Sequence, residues 1–443
     1  MIKNILIFGI CCFNWLALTA QTTFNIQQAI DYAYNNNTEI KNAMLNISDA
    51  EQQILERRAI GLPQVNGKIE FQHFIQVPQV ALPEAFFIDP MTGQVPEGID
   101  RRASFQLKNN FTPSITASSL LFDGSYLTGL KAARLYKNFV QKQLDTKKSE
   151  VRDQVTGAYL PLLLIDQSIK LIDQNTSNLQ QLITETKALY KEGFVEQLDV
   201  DRLELSNANL AAERENLVRQ RETVANALKF VIGFPKEDEL ILSETIESLL
   251  EVGDTTYNTE TFEITNKHQY QVAALNSQLN ELNVELNQRG YLPNLAAFAS
   301  YNYQFLGDNF KDGFWAPSFV VGATINVPIF DGFEKRSKVE RAKIQLLMAQ
   351  NQQEMLAESI FLDIKNTQIA FENAMNRVRD REKNVALAQR IYDTTKIKYK
   401  EGVGSSLELS QAEQALFSAQ NNYTQAVYDA IVAKMDLDSA LGD

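Results

Sequence analysis

The chain has 443 residues, 44% of them hydrophobic, and a formal net charge of −13. We read no stretch after residue 21 as apolar enough to span a bilayer as a helix, which excludes a multi-pass helical membrane protein. The acidic balance argues against nucleic acid or anionic lipid headgroups as partners, although solubility alone would also explain it.

The first twenty residues predict a secretory signal peptide, 1–20. Lys3 provides the basic start, and an apolar stretch and small residues follow it. Cys11 and Cys12 are the only cysteines and both lie in this segment, so we predict no disulfide, thiol nucleophile or thiolate metal site in the mature chain. A lipid anchor is the alternative, but bulky Ile10 precedes Cys11 where a lipoprotein normally has a small residue.

The only histidines, His73 and His268, have no carboxylate or histidine at metal-ligand spacing. Acid–base chemistry usually needs such a constellation of groups. We therefore predict no catalytic residue, no metal and no cofactor, and we predict that the chain is not an enzyme.

An internal repeat organises the chain. Matching residues stand 209 positions apart, whereas the Phe-Asp-Gly and Leu-Pro motifs recur at other spacings. The matches are Tyr190-Lys191-Glu192-Gly193 with Tyr399-Lys400-Glu401-Gly402, Leu198 with Leu407, Glu204 with Glu413, Phe122-Asp123-Gly124 with Phe330-Asp331-Gly332, and Leu62-Pro63 with Leu292-Pro293. We predict a first structural repeat at 21–233, a linker at 234–262 and a second repeat at 263–443, each with the order helix, two strands, long helix, hairpin tip, helix.

Two segments in each repeat alternate between apolar and polar residues, as strands do. They are Val65–His73 and Phe105–Leu121 in the first repeat, and Leu295–Phe305 and Phe319–Ile329 in the second. Soluble sheets also alternate. Lengths of about ten residues and aromatics gathered near the segment ends favour a membrane barrel. Those aromatics are Phe71, Phe74, Phe122, Phe305, Trp315, Phe319 and Phe330.

Four strands are too few to close a barrel, and open strand edges do not occur in lipid. Other chains must then supply the missing strands. Oligomerisation is therefore a physical requirement of the barrel hypothesis.

Two helices are predicted to be longer than a globular core needs. More than sixty residues separate Gly124 from Tyr190, and Gly332 from Tyr399, which is about 100 Å of helix at 1.5 Å per residue. A seven-residue apolar spacing predicts left-handed coiling around neighbouring helices, and a structural coiled coil stays an open alternative. Pro161 should bend the first long helix or break a hydrogen bond there.

Each long helix ends at Tyr-Lys-Glu-Gly, and another helix starts shortly afterwards. Gly193 and Gly402 permit the left-handed backbone of a helix C-terminus, so we predict two tight helical hairpins. Ser405 and Glu408 fit a capping box at the start of the last helix. The repeated side chains suggest a shared external partner, although common ancestry of the repeats would also preserve them.

In the order of these segments, the chain resembles the TolC-type outer-membrane efflux channel family over essentially its whole mature length. The opening residues Ile26, Ala29, Ile30, Ala33 and Asn37-Thr38-Glu39-Ile40 are similar to the start of that family, although Thr38 stands where a proline is common. The Phe-Asp-Gly and tyrosine-glycine tip motifs are similar too.

The resemblance implies a mainly α fold with a transmembrane β part. Long antiparallel coiled-coil helices would form a periplasmic α-barrel, and four strands per protomer would build a twelve-stranded outer-membrane barrel in a homotrimer. The implied function is passive conduction of substrates in a tripartite efflux or type I secretion system. The implied location is the outer membrane of a Gram-negative bacterium, with a long periplasmic portion and outer-membrane lipid as a partner.

The resemblance also implies site residues. The tips, Tyr190, Lys191, Glu192, Gly193, Tyr399, Lys400, Glu401 and Gly402, would dock a periplasmic adaptor that is coupled to an inner-membrane transporter. Asp393 would be a candidate for the acidic constriction at the closed end, although its counterpart Thr184 is uncharged. The alternatives are a periplasmic adaptor and a soluble coiled-coil scaffold or periplasmic enzyme. The sequence does not identify the transported substrate or the energy source.

Overall fold

A computed structural model of the chain describes residues 23–442 except 92, 95, 97 and 252–261. The predicted signal peptide lies outside these residues. The helices are α1 (Ile26–Asn36), α2 (Thr38–Ala59), α3 (Gly124–Lys191), α4 (Gln197–Ile232), α5 (Ile246–Glu251), α6 (His268–Arg289), α7 (Glu334–Lys400) and α8 (Ser406–Leu441). The strands are β1 (Thr23–Phe24), β2 (Gln64–His73), β3 (Val80–Ala81), β4 (Arg102–Ala103), β5 (Asn109–Phe122), β6 (Ile241–Leu242), β7 (Asn294–Gly307) and β8 (Phe314–Asn326).

The two predicted long helices are confirmed as α3, with 68 residues, and α7, with 67 residues. Several positions of the seven-residue spacing are buried, among them Val155 and Leu162 of α3 and Val378 and Tyr392 of α7, whereas Tyr190 at the end of the series in α3 is exposed. α3 does not end at Pro161. A proline inside a helix costs about 3 kcal/mol, and burial of the apolar side chains on both sides of it offsets that cost.

The apolar content of α3 contradicts one sequence expectation. Among the described residues, α3 is the one helix with a segment long and apolar enough to cross a bilayer, judged by length and composition alone. The expectation that no helix after residue 21 meets this criterion is therefore wrong. The same helix buries Leu160, Leu163 and Ile165 in the protein interior, which gives its apolar side chains a structural use.

The main sheet is antiparallel and has the strand order β2-β5-β7-β8. All four predicted strands form, with shifted ends. The second strand begins at Asn109 rather than Phe105, and the fourth covers Phe314–Asn326 rather than Phe319–Ile329. The alternation beyond Asn326 continued over Val327 and Ile329, but those residues have no strand partner in β7, which begins opposite Asn326 at Asn294.

The chain forms two compact units, and each contains segments from both predicted repeats. The strand unit comprises Asn46–Gln141 and Val272–Glu354. It holds the main sheet, the adjoining ends of α2, α3, α6 and α7, and a small β3–β4 hairpin within the long β2–β5 connection. The Leu-Pro motifs lie where predicted, between α2 and β2 and between α6 and β7.

The helical unit comprises the described residues within Met1–Leu45, Lys142–Gln271 and Met355–Asp443. Its largest core joins side chains of α1, α3, α4, α7 and α8. The predicted linker 234–262 contributes β6 and α5, and β6 pairs in parallel with β1 through Thr23 and Ile241. The hydroxyl of Tyr159 on α3 donates to the backbone oxygen of Phe24 at 3.0 Å, which ties this edge to the core.

Candidate functional site

The first hairpin tip is a glycine-terminated turn between α3 and α4. Gly193 has φ +79°. Its N–H donates to the Tyr190 oxygen at 3.0 Å, and the Phe194 N–H donates to the Leu189 oxygen at 3.0 Å. This pair of bonds is the Schellman arrangement, which satisfies carbonyls that the ending helix leaves without partners.

The second tip, between α7 and α8, repeats the same backbone. Gly402 has φ +74°, its N–H donates to the Tyr399 oxygen at 3.1 Å, and the Val403 N–H donates to the Lys398 oxygen at 3.0 Å. A Cβ built on Gly193 or Gly402 meets no atom within 4 Å. The backbone conformation rather than lack of space therefore requires glycine, and the sequence prediction of two left-handed tips is confirmed.

The tyrosines of the two tips have different surroundings. Tyr190 is 43% exposed, whereas Tyr399 is 6% exposed. The hydroxyl oxygens of Tyr399 and Thr186 lie 3.3 Å apart, within hydrogen-bond distance. Burial raises the pKa of the Tyr399 hydroxyl. Tyr399 is therefore a core residue in this chain, and only Tyr190 presents its ring at the surface.

Charged residues of the tips lie mostly at the surface. Lys191, Glu192 and Glu401 are exposed. The Lys400 Nζ lies 2.9 Å from the Glu185 Oε2, and this interaction holds the pKa of the Glu185 carboxyl below its usual range. Because Glu185 belongs to α3 and Lys400 to α7, the pair joins the two hairpins near their ends.

Further contacts hold the hairpins together. Ser406 at the start of α8 donates to Asp199 at the start of α4. Ser405 caps α8, with its Oγ accepting from the Glu408 N–H at 3.2 Å, which is the first half of the predicted capping box. Behind the tips, α3, α4, α7 and α8 share an apolar cluster, whose buried members are Leu179, Leu182, Ile183, Leu203, Tyr392, Tyr399, Leu409, Ala412 and Leu416.

Each tip also exposes apolar side chains, which were not among the predicted site residues. Phe194 is 77% exposed and Val403 is 78% exposed, and each directly follows its tip glycine. Leu198 and Leu407, one helical turn further on, are also exposed. The signal was present in the sequence, because Leu198 and Leu407 match across the repeat and an apolar residue follows glycine in both copies.

Asp393 lies on the surface of α7, where the Gln389 side chain donates to its Oδ1 at 3.0 Å. Its counterpart Thr184 donates to the Gln180 backbone oxygen at 2.9 Å. No group of three or more histidine, cysteine or acidic residues arranged for a metal ion occurs in the described part of the chain. The constriction role of Asp393 stays a prediction.

Glu413 on α8 is a buried acid, which in the sequence stands out only as the repeat match of Glu204. It is 8% exposed, and its Oε2 has no hydrogen-bond partner. Burial raises the pKa of this carboxyl to about 7, and the charge of Lys396 opposes the shift only in part. The pKa of nearby Tyr392 rises to about 12, because of burial first and then the neighbouring charge of Glu413.

The main sheet of the strand unit has two chemically distinct faces. Residues that are paired across an antiparallel sheet point to the same side, so the strand registers assign every position to a face. One face is mostly polar and contains Gln64, Asn66, Lys68, Glu70, Gln72, Asn110, Thr112, Ser114, Thr116, Ser118, Ser300, Asn302, Gln304 and Ser318. The other contains Val65, Ile69, Phe71, Phe111, Ile115, Ala297, Ala299, Tyr301, Tyr303, Phe305, Trp315, Phe319, Val321 and Ile325.

Side chains of the polar face bond to one another across strands. The hydroxyls of Thr116 and Ser300 lie 3.0 Å apart, and the Gln304 amide donates to Asn110 at 2.9 Å. On the apolar face, aromatic rings gather at the end of the sheet farther from α3. There Trp315 stacks on Tyr303 at 4.6 Å and meets Phe305 edge-on at 5.4 Å.

Comparisons with known proteins agree with this arrangement. Residues 263–443 match the family described as "Outer membrane efflux protein". The chain is 22% identical to the outer membrane efflux protein BepC of Brucella suis biovar 1 over 83% of this chain and 80% of BepC. It is 20% identical to the outer membrane protein TolC of Vibrio cholerae over 74% of this chain and 76% of that protein. Over most of its length the chain is therefore similar to outer-membrane efflux proteins of the TolC type.

A solved structure shows the same fold. The outer membrane protein VceC of Vibrio cholerae superposes with a TM-score of 0.70 over 94% of this chain and 96% of its own, at 15% identity. The predicted mainly α fold with an antiparallel β part is thus the fold of TolC-type channels. The relatives and the solved structure named here are outer-membrane proteins.

Proposed function

We propose that three copies of this chain close a twelve-stranded barrel in the outer membrane and conduct export substrates passively through it. The observation that carries the proposal is the four-stranded sheet with one apolar face, one polar face and two edge strands, β2 and β8. In a membrane barrel the apolar face contacts lipid and the polar face lines the aqueous lumen.

The strand directions support closure by identical copies. Strands of 10 to 14 residues are long enough to cross the hydrocarbon core when tilted. Neighbours in the sheet alternate in direction, so β8 of one copy runs antiparallel to β2 of the next when the two edges meet. Pairing of these edges satisfies backbone groups that lipid would leave without hydrogen bonds.

The mass of the detergent-extracted protein from outer-membrane fractions, corrected for bound detergent, tests this proposal. We expect a trimer. A water-soluble monomer or dimer in the periplasm would contradict it, and would return the chain to the adaptor, scaffold or enzyme alternatives.

We further propose that the hairpin tips bind a periplasmic adaptor, which is in turn coupled to an inner-membrane transporter. Phe194 and Val403 support this role, because exposed apolar side chains at matching positions are what a partner surface can cover. Covering such a side chain contributes roughly 1.5–3 kcal/mol. The polar residues at the tips, including Lys191 and Glu192, would surround this contact.

Exchange of the two apolar residues tests the docking role. We expect Phe194→Ser with Val403→Ser to raise accumulation of a fluorescent export substrate in cells that depend on this chain, while trimers still form. Phe230→Ser is the matched control, because Phe230 is an exposed aromatic at the other end of α4. Equal accumulation in the wild type and the double variant would argue against docking at the tips.

The acidic character of the chain supports a preference for cations. A net charge of −13 and a carboxylate constriction at Asp393 favour cation passage. We expect the reversal potential across a salt gradient to show cation selectivity that Asp393→Asn reduces. An anion-selective channel would refute the constriction proposal.

A further inference from the structure

An apolar patch interrupts the polar face at the end of the sheet farther from α3. One row across the four strands pairs Gln72 with Asn110, Asn110 with Leu306, and Leu306 with Phe314. The row is polar on β2 and β5 but apolar on β7 and β8. Phe298 and Val320 also lie on this face, in rows nearer α3, so this row is distinguished by the apolar side chains that the adjoining connection adds beside it.

The long β2–β5 connection adds further apolar side chains beside this row. Phe74, Phe105 and Leu107 line, together with Leu306 and Phe314, a cavity of about 430 Å³. The cavity is open to solvent, because Phe105 is 75% exposed and Phe314 is 56% exposed. The connection at the matching position of the second repeat, between β7 and β8, spans only residues 308–313.

The chemistry of the lining restricts the ligand. Gln72, Asn110 and Gln304 contribute amide groups, and all described lining residues are uncharged. A charged ligand would lose its hydration here without gaining an opposite charge, which is costly. A volume of this size lies within the usual range for small-molecule sites, which are mostly apolar with a few polar groups that orient the ligand.

We propose that this cavity is a binding site for uncharged amphipathic small molecules, with an apolar body against Phe105, Leu306 and Phe314 and a hydrogen-bonding edge against the amides. The proposal rests on the channel function, since the polar face must line the lumen for the cavity to stand on the exit path. An export substrate of this class would then pause at the outer mouth before release.

Conductance of single trimers in planar bilayers tests the site, with chloramphenicol as an uncharged aromatic probe. We expect transient partial blocks of the current when the probe is added at the barrel side. When the probe is added at the helical side, the intervals between blocks should be longer. The double variant Phe105→Ala with Phe314→Ala should shorten the blocks roughly tenfold or more, because two apolar contacts are lost. Naphthalenesulfonate, a charged aromatic, should produce no such blocks.

Phe310→Ala is the matched control, because Phe310 is an exposed aromatic at the same end that stacks on Phe305 of the other face. It should leave the blocks unchanged. Absence of any conductance would overturn the channel function itself. Normal conductance without probe-dependent blocks would overturn the binding site alone. If the double variant conducts more than wild type without probe and its blocks are unchanged, the apolar patch acts as a hydrophobic barrier to flow. That result would overturn the binding-site proposal.

Discussion

The two hairpin tips have the same backbone but use their side chains differently. Both turns carry a left-handed glycine and the same pair of backbone hydrogen bonds. Tyr190 nevertheless lies at the surface, whereas Tyr399 is buried against α3. A repeated motif therefore specifies a turn, because turn geometry is local, but it does not specify which side chains remain available to a partner.

The acids one repeat apart differ in the same way. Glu204 is exposed and pairs with Lys187, whose Nζ lies 2.6 Å from its Oε1. Glu413 is buried and its Oε2 has no partner. The second hairpin thus carries a destabilising group that the first hairpin lacks, and packing around α8 rather than the local sequence creates it.

Glu413→Gln tests the contrast between Glu204 and Glu413, and we expect it to give the largest change in the free energy of unfolding. The Glu413 carboxyl titrates near pH 7 in the folded chain, compared with 4.5 for an ordinary glutamate. Over that window the folded state holds more protons than the unfolded state, so the free energy of unfolding falls as pH rises. The loss of stability caused by burying the ionised Glu413 carboxylate is absent below about pH 4.5, and it reaches on the order of 3 kcal/mol above pH 7.

Thermal unfolding of the purified protein between pH 4.5 and 8 measures this penalty. We expect Glu413→Gln to flatten the decline in stability with pH and to be more stable than wild type at pH 8. Glu204→Gln is the matched control and should change stability by less than about 1 kcal/mol, as exposed ion pairs do. Identical pH profiles for wild type and Glu413→Gln would refute the buried-acid assignment.

The second prediction concerns what the tips share. Gly193→Val or Gly402→Val places a β-branched residue in the left-handed region, which costs roughly 1–2 kcal/mol at each site. We expect the double variant to abolish export while trimers still form, because the turns at the adaptor end are lost and the sheet is untouched. Gly157→Ala is the control, since Gly157 lies inside α3 with open space around it. This substitution should be neutral or stabilising, and normal export by the double valine variant would contradict the docking role.

Much of the fold could be predicted because its signals are local or periodic. The long spans from Gly124 to Tyr190 and from Gly332 to Tyr399, with their seven-residue apolar spacing, predicted α3 and α7. The alternation predicted all four strands of the main sheet. The strand ends were less accurate. Alternation continued to Ile329, whereas β8 ends at Asn326 because β7 supplies no partner beyond that residue. A strand ends where its pairing with the neighbouring strand ends. The sequence of one segment alone does not show where its partner ends.

The site was predictable only where the backbone dictates the residue. Gly193 and Gly402 could be identified because their conformation excludes most side chains. The burial of Tyr399 depends on contact with Thr186 of α3, more than two hundred residues away in sequence. The burial of Glu413 depends on its neighbours in α7, such as Tyr392, about twenty residues away. The exposure of Phe194 and Val403 was not predicted, since an apolar residue beside a turn is expected to be covered.

The smallest of the three effects tests the tyrosines directly. Tyr399→Phe removes the hydrogen bond to Thr186 and leaves a buried hydroxyl without that partner, which costs about 0.5–1.5 kcal/mol. Tyr190→Phe removes an exposed hydroxyl and should change the free energy of unfolding by less than about 0.5 kcal/mol. Thermal unfolding of both variants checks the difference, and Thr186→Val with Tyr399→Phe should recover part of the loss because neither hydroxyl then remains buried alone. Equal destabilisation by the two single variants would mean that both tyrosines occupy equivalent surroundings, and the contrast between the tips would then not hold.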